Sequence, residues 1–367
     1  MKVAIVCDWL TGIGGAERVV FNIHQLYPKA PIYTSQYDES SLPWFKDADI
    51  RTTWLQKLPS GLKKFLPLFR AYTFGKLDLS AYDLVFSISG AEAKGVKTGP
   101  KTIHICYCHS PTQYYWIRRN EYLKYPGFPF GLNWLARLGL RLLETPLKRW
   151  DKHAAKQPDY YITNSNYSKN NINKIYKREA IVIHPPVDVD RFRLRSNKPT
   201  RHGLVIAGRQ TPYKRIDLAI EACNKLKIPL IVIGNGPDHK RLEKIADRTI
   251  TFLTNVNDLS IVEHFQSSLA FIFPNADDFG IVAVEALAAG TPVIAYKKGG
   301  ALDYIKNGKN GVFFERQTTA SLINAINIIL SKNFNYENIS KSANQFSTNR
   351  FKNEIREFVD QIISKNK

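Results

Sequence analysis

Two carboxylates stand eight residues apart in one run, Asp277-Asp278-Phe279-Gly280-Ile281-Val282-Ala283-Val284-Glu285, which follows the apolar Phe271-Ile272-Phe273-Pro274. A strand ends at Pro274, and a helix is expected from about Gly280 to Gly290. Asp277 then lies just before a helix N-terminus, and Glu285 lies inside an otherwise apolar helix. Amides of Phe279, Gly280 and Ile281, with the helix dipole, suit a phosphate or sugar oxygen. A buried acid needs a partner, and for Glu285 a ligand hydroxyl and a structural hydrogen bond both answer that need. A second cluster, Gly208-Arg209-Gln210-Thr211-Pro212-Tyr213-Lys214, follows the apolar Val205-Ile206-Ala207. At a strand's C-terminal end, Arg209 as a fork and Lys214 as a point charge fit a diphosphate. Two solvated cations are the plainer alternative.

The N-terminal half offers two further places. Thr11-Gly12-Ile13-Gly14-Gly15-Ala16-Glu17-Arg18 follows the strand candidate Val3–Cys7. Gly14 and Gly15 let backbone approach a ligand, and the helix that follows can receive an anion. A tight turn with no ligand is the alternative, since neither GxGxxG nor a P-loop is spelled. His109 appears where the strand candidate Ile103–Tyr107 ends, whereas His104 lies within that strand and reads as structural.

Elements must hold these residues. Short apolar runs at Leu84–Ser87, Tyr160–Thr163, Ala180–Ile183, Gly203–Ala207, Leu230–Ile233, Thr251–Leu253, Leu269–Phe273 and Pro292–Ala295 alternate with helical patterns. That rhythm predicts parallel sheets in an α/β protein. Prolines and charges place an interdomain linker at 186–200, between domains at 1–185 and 201–345. Phe351, Ile355, Phe358, Val359 and Ile362 give the tail 346–367 a helix with one apolar face.

The 367 residues are 44% hydrophobic with six Trp, which excludes a disordered or collagen-like chain. The formal charge of +20 implies an anionic partner: nucleic acid, a phosphorylated molecule or an acidic membrane surface. Residues 51–153 concentrate it, with 17 Lys and Arg against 6 Asp and Glu. There, Lys63, Lys64 and Arg70 lie beside Leu62, Phe65, Leu66 and Phe69. Arg137 and Arg141 share a helical face while Leu135 and Leu142 lie on another, and Thr145-Pro146 suggests a new helix start. Such amphipathic segments dock on anionic lipid or pack on a core with a solvated basic face. No recognition motif supports nucleic acid. Four cysteines without a CxxC read as reduced thiols of a cytoplasmic protein. The first apolar run stops at Asp8, too short for a signal peptide, and no apolar stretch reaches spanning length.

GIGGAERV at 12–19, CHSPTQYYW at 108–116, GRQTPYK at 208–214, DDFGIVAVEALAAGTPVIA at 277–295 and GGALDYIKNGKNG at 299–311 together resemble the retaining glycosyltransferases of family 4. The resemblance covers essentially the whole chain. It implies the GT-B fold, two Rossmann-like domains whose parallel sheets face a central cleft, with the C-terminal helix crossing back to the first domain. It further implies that Arg209 and Lys214 bind a nucleotide diphosphate, approached by Gly14 and Gly15 from the other domain. Amides of Phe279, Gly280 and Ile281 would bind sugar or phosphate oxygens, Glu285 the ribose and Asp277 the donor sugar. Asp277 stands where the family usually has Glu. His109 matches the family's active-site histidine. Closer details resemble mannosyltransferases of surface-polysaccharide assembly, hence GDP-mannose, a lipid-linked or glycan acceptor, and a peripheral position on the cytoplasmic membrane face. A UDP-sugar transferase, a sugar-nucleotide epimerase and, last, a basic RNA-binding protein are the alternatives. No cofactor or metal is expected: Asp47-Ala48-Asp49 and Asp188-Val189-Asp190 spell DxD, but the latter falls in the linker.

Overall fold

The computed structural model describes residues 1–58, 67–125, 133–194 and 200–365. They form two compact units: Met1–Pro186 with Phe351–Lys367, and Val187–Arg350.

The N-terminal unit holds β1 (Val3–Cys7), β2 (Ile32–Thr34), β3 (Ile50–Thr52), β4 (Leu84–Ser89), β5 (Ile103–Cys108), β6 (Tyr160–Thr163) and β7 (Ile181–Val182). They pair in the order β3-β2-β1-β4-β5-β6-β7, every pair parallel. Every residue of β4 is buried, as a sheet covered on both faces requires. The helices of this part of the chain are α1 (Gly15–Leu26), α2 (Pro67–Lys76), α3 (Arg119–Lys124), which buries none of its residues, α4 (Asn133–Ala154) and α5 (Asn166–Tyr176). Pro67 is the first residue of α2, where a proline's missing N–H costs nothing.

The C-terminal unit contains α6 (Val189–Phe192), β8 (Leu204–Ala207), α7 (Ile216–Leu226), β9 (Leu230–Ile233), α8 (His239–Ile245) and β10 (Ile250–Leu253). It continues with α9 (Asp258–Ser267), β11 (Ala270–Phe273), α10 (Ile281–Ala288), β12 (Val293–Tyr296), β13 (Gly311–Phe314), α11 (Thr319–Ser331) and α12 (Tyr336–Ser342). The order is β10-β9-β8-β11-β12-β13, again all parallel. The chain winds outward from β8 to β10, then returns to the other side of β8 with β11. The sheet thus has a topological switch point between β8 and β11, where open α/β sheets bind ligands.

The last helix, α13 (Thr348–Lys365), belongs to the N-terminal unit through its final residues. Phe351, Ile355, Phe358, Val359 and Ile362 join Ile5, Phe86, Ile105 and Ile162 in one core.

Three expectations are corrected. Residues 186–200 are not wholly linker: Val187, Val189 and Phe192 are buried in the C-terminal core, because their apolar side chains have Phe265 and Phe271 to pack on. No helix starts at Pro146, and α4 runs through it. Pro146 is exposed, on the side where a helix best tolerates a missing hydrogen bond. Arg70 is no surface cation, being 6% exposed and paired with buried Glu92 at 2.7 Å. A buried guanidinium needs such a partner.

Candidate active site

In the N-terminal unit the loops after β1, β4 and β5 gather at the strands' C-terminal ends. Asp8, just past β1, accepts hydrogen bonds from the amides of Gly90 (2.8 Å), Ala91 (3.0 Å) and Ala93 (2.7 Å) and from Ser89 Oγ (3.1 Å). It fixes the loop after β4 to β1. Glu17, in the first turn of α1, is also buried. Burial, with Asp8's charge adding to it, pushes its carboxyl up to about 7. A Cβ built on Gly14 would lie 2.7 Å from Glu17 Oε2. The missing side chain of Gly14 therefore makes room for that carboxyl. Gly14 itself is extended and caps α1, and Gly15 opens the helix.

His109 follows β5. Its amide donates to Ser89 O (3.0 Å), and its carbonyl accepts from Ser168 Oγ (3.0 Å). Its ring meets Tyr107 edge-on, and Nε2 is buried with no hydrogen-bond partner. Burial pushes the imidazole down to about 4, partly offset by Asp8, so the ring is neutral at pH 7. His104 is structural, its Nε2 lying 2.8 Å from Ser87 Oγ.

The residues after His109 are held by an acid that sequence reading missed. Asp151 of α4 accepts from Thr112 Oγ1 (2.8 Å), Trp116 Nε1 (2.7 Å) and Tyr176 OH (2.7 Å), and pairs with Lys94 Nζ (2.7 Å). Lys94 and Asp151 are 1% and 0% exposed. A second buried group joins Arg70, Glu92 and Tyr114, with the Arg70 guanidinium over the Trp9 ring. CHSPTQYYW is thus tied to α2 and α4 by two buried ion groups.

In the C-terminal unit the switch point carries the other residues. Gly208 and Pro274 follow β8 and β11, and between the strand ends lies an open pocket lined by Gly208, Lys214, Phe273, Pro274 and Asn275. Lys214 forms an ion pair with Asp277. Arg209 is exposed. α10 starts at Ile281; the Ala283 amide already donates to Gly280 O (3.0 Å), and the amides of Ile281 and Val282 precede any intrahelical acceptor. Gly280 precedes it at φ 90°, and a Cβ there would lie 2.4 Å from Phe273 Cζ, so only glycine fits. Phe279 is buried, and its carbonyl accepts from Tyr304 OH (2.9 Å). Gly299 and Gly300 pass under the carboxylate loop: Cβ atoms on them would lie 2.5 Å from Asp277 O and 2.4 Å from Asp278 O. Glu285 is buried within α10. Arg201, beyond the helix end, donates to Ala289 O (3.2 Å) and Thr291 Oγ1 (2.8 Å) and holds α10 by its C-terminus.

The unit therefore brings Lys214 and Asp277 together. Asp188 caps α6 through the Arg191 amide (3.3 Å), Asp190 pairs with Arg193 (2.5 Å), and Asp49 pairs with Arg51 (2.8 Å), which gives these DxD acids structural partners. Of the basic residues expected at a membrane, Arg137 and Arg141 are exposed on α4. Lys63 and Lys64 lie outside the described residues.

Two parallel α/β sheets of seven and six strands with these loops define the GT-B fold. Two solved structures share it: the Anabaena protein HepE in complex with UDP (TM-score 0.71, 18% identity, 98% of this chain and 100% of that one) and sucrose-phosphate synthase of Thermosynechococcus elongatus (0.72, 16%, 99% and 100%). Residues 188–349 match the family "Glycosyl transferases group 1". The D-inositol 3-phosphate glycosyltransferase of Mycobacterium leprae is 30% identical over 193 residues, 46% of this chain. That match spans 45% of the relative, so the chain covers about half the length of the curated relatives it matches.

Proposed function

We propose that the protein is a retaining glycosyltransferase that moves a sugar from a nucleotide-sugar to a lipid-linked or glycan acceptor. The observation that carries this reading is the Lys214–Asp277 pair at the switch point, beside the N-terminus of α10 and its buried Glu285. Transfer builds oxocarbenium character on the sugar and negative charge on the departing diphosphate. Lys214, Arg209 and the α10 amides are positive groups that stabilise that charge. Amides of Phe279, Gly280 and Ile281 hold sugar or phosphate oxygens, and Glu285 holds the ribose hydroxyls. Asp277, released from Lys214 as the lysine turns to phosphate, accepts from sugar hydroxyls. The bond from the anomeric carbon to the diphosphate oxygen breaks as the acceptor oxygen attacks from the same face. The departing phosphate takes the acceptor's proton. His109 meets the substrate as a neutral imidazole. Gly14 and Gly15 keep their assignment to the diphosphate, beside the room Gly14 makes for Glu17. With cations and dipole supplying the positive charge, turnover is expected to be unchanged by a chelator.

GDP-mannose is the donor suggested by the motifs. A UDP-sugar is the second reading, supported by the UDP bound to the HepE protein of like fold. A panel of GDP- and UDP-sugars scored by thermal shift and hydrolysis separates them. A clear UDP preference sinks GDP-mannose, and silence to every donor sinks glycosyl transfer. Product analysis without an acceptor exposes an epimerase.

The acceptor reading rests on α4. Trp134 is 60% and Leu142 67% exposed, with Leu138, Arg137 and Arg141 also on the surface. An aromatic, aliphatic and cationic face of this kind suits the cytoplasmic surface of an anionic membrane, each cation contributing about 1 kcal/mol. Co-sedimentation with phosphatidylglycerol vesicles should fall when Arg137 and Arg141 are both changed to Glu. Equal recovery with phosphatidylcholine vesicles contradicts the reading.

A further inference from the structure

Asn275 directly follows Pro274 at the end of β11. It is 2% exposed, and its Nδ2 is buried with no hydrogen-bond partner. Buried side-chain amides are almost always bonded, and an orphaned one marks a place where something else completes it. The same side chain lines the open pocket that Lys214 also lines. Most of the wall is apolar: Ile206, Ala207, Ile272 and Phe273 offer no side-chain acceptor. Two side chains that can donate, Asn275 and Lys214, therefore line a pocket whose complement is an oxyanion. The neighbouring carbonyl of Pro274 is already taken by Gln317 Nε2 (2.8 Å), so the local backbone is satisfied while the amide is not.

We propose that Asn275 is a donor-binding residue whose side-chain amide, together with Lys214, holds a phosphate oxygen of the nucleotide-sugar in the pocket between the ends of β8 and β11. The inference rests on the glycosyl-transfer reading and adds a residue to it. Asn275 gives the diphosphate a neutral, directional contact beside the point charge. Lys214 is paired with Asp277 before the donor arrives, and Asn275 has nothing to release.

The test is calorimetric binding of UDP, GDP, uridine and guanosine to the wild type, Asn275→Ala and Asn275→Asp. The wild type is expected to bind one of the two diphosphates. Asn275→Ala weakens it about 10-fold, and Asn275→Asp, which sets a carboxylate against phosphate, about 100-fold or more. The matching nucleoside, which has no phosphate, binds all three proteins alike. Thermal unfolding checks each variant, and the nearly isosteric Asn275→Asp carries the test if the alanine variant does not fold. Diphosphate affinities unchanged in both variants overturn the inference, as does an equal loss for nucleoside and diphosphate. A wild type that binds neither UDP nor GDP overturns the glycosyl-transfer reading itself.

Discussion

Replacing Asp151 by asparagine removes one charge and almost no volume, yet it should be among the most damaging single changes in the N-terminal unit. The carboxylate receives Thr112, Trp116, Tyr176 and Lys94 at 2.7–2.8 Å. An asparagine in its place offers one acceptor oxygen to those four donors and turns two N–H groups toward them. Lys94, 1% exposed, is left charged with no counter-ion. Breaking a buried pair from one side costs about 3–5 kcal/mol, and the lost acceptors put this case near the top of that range. A domain's whole stability is about 5–15 kcal/mol. At a urea slope of about 2–3 kcal/mol/M the midpoint should fall by roughly 1.5–2 M. The readout is unusually clean, because all six tryptophans lie between Trp9 and Trp150 and so report the N-terminal unit alone. A paired Lys94→Met, Asp151→Leu variant removes both charges and should recover much of the loss. A midpoint shift below about 0.3 M for Asp151→Asn, or a double variant no better than the single, would refute the reasoning.

Glu17→Gln tests the buried carboxyl under Gly14. The fold holds Glu17 protonated up to about 7. Its stabilising contribution is therefore complete below about 4.5 and lost as pH rises through 7. The glutamine variant should melt above the wild type at pH 8 and level with it near pH 4.5; a constant gap contradicts the assignment. Gly280→Ala forces a side chain into positive φ and against Phe273, and should lower stability by more than about 3 kcal/mol, read as a fall in melting temperature. Arg209→Ala and Lys214→Ala should each depress turnover about 100-fold in a donor-consumption assay, with folding unchanged. Full activity in both removes them from the reaction.

The strands that sequence exposed are those with four to six apolar residues in a row, such as Val3–Cys7 and Leu230–Ile233. Ile32–Thr34 and Ile50–Thr52, three residues each, are too short to show a period; the first exists because β1 offers its edge and the second because β2 does. At the site, the amides of Phe279, Gly280 and Ile281 were legible from their place before a helix, whereas the close approaches at Gly280 and at Gly299-Gly300 were not, because Phe273 and the Asp277–Asp278 backbone reach them only in the fold. Arg70 misled for the same reason. Helical spacing shows which face a cation takes, but not that Glu92, 22 residues on, waits to bury it. Asp8 and Asp151 escaped likewise, since their donors come from segments far apart in the chain.

The placement of α13 has a consequence for how the polypeptide is made. Its apolar face completes the core around β1, β4 and β5, elements at the start of the chain. Domains generally fold as they are synthesised, first part first. Here the first-made sheet must wait for the last-made helix, while the intervening Val187–Arg350 can fold complete. On the ribosome the C-terminal unit can therefore finish before the N-terminal one. A protein stopped short of Phe351 leaves the core beside Tyr107 and Phe86 open to water and to other chains. That fault would show as aggregation in the cell rather than as a missing catalytic group.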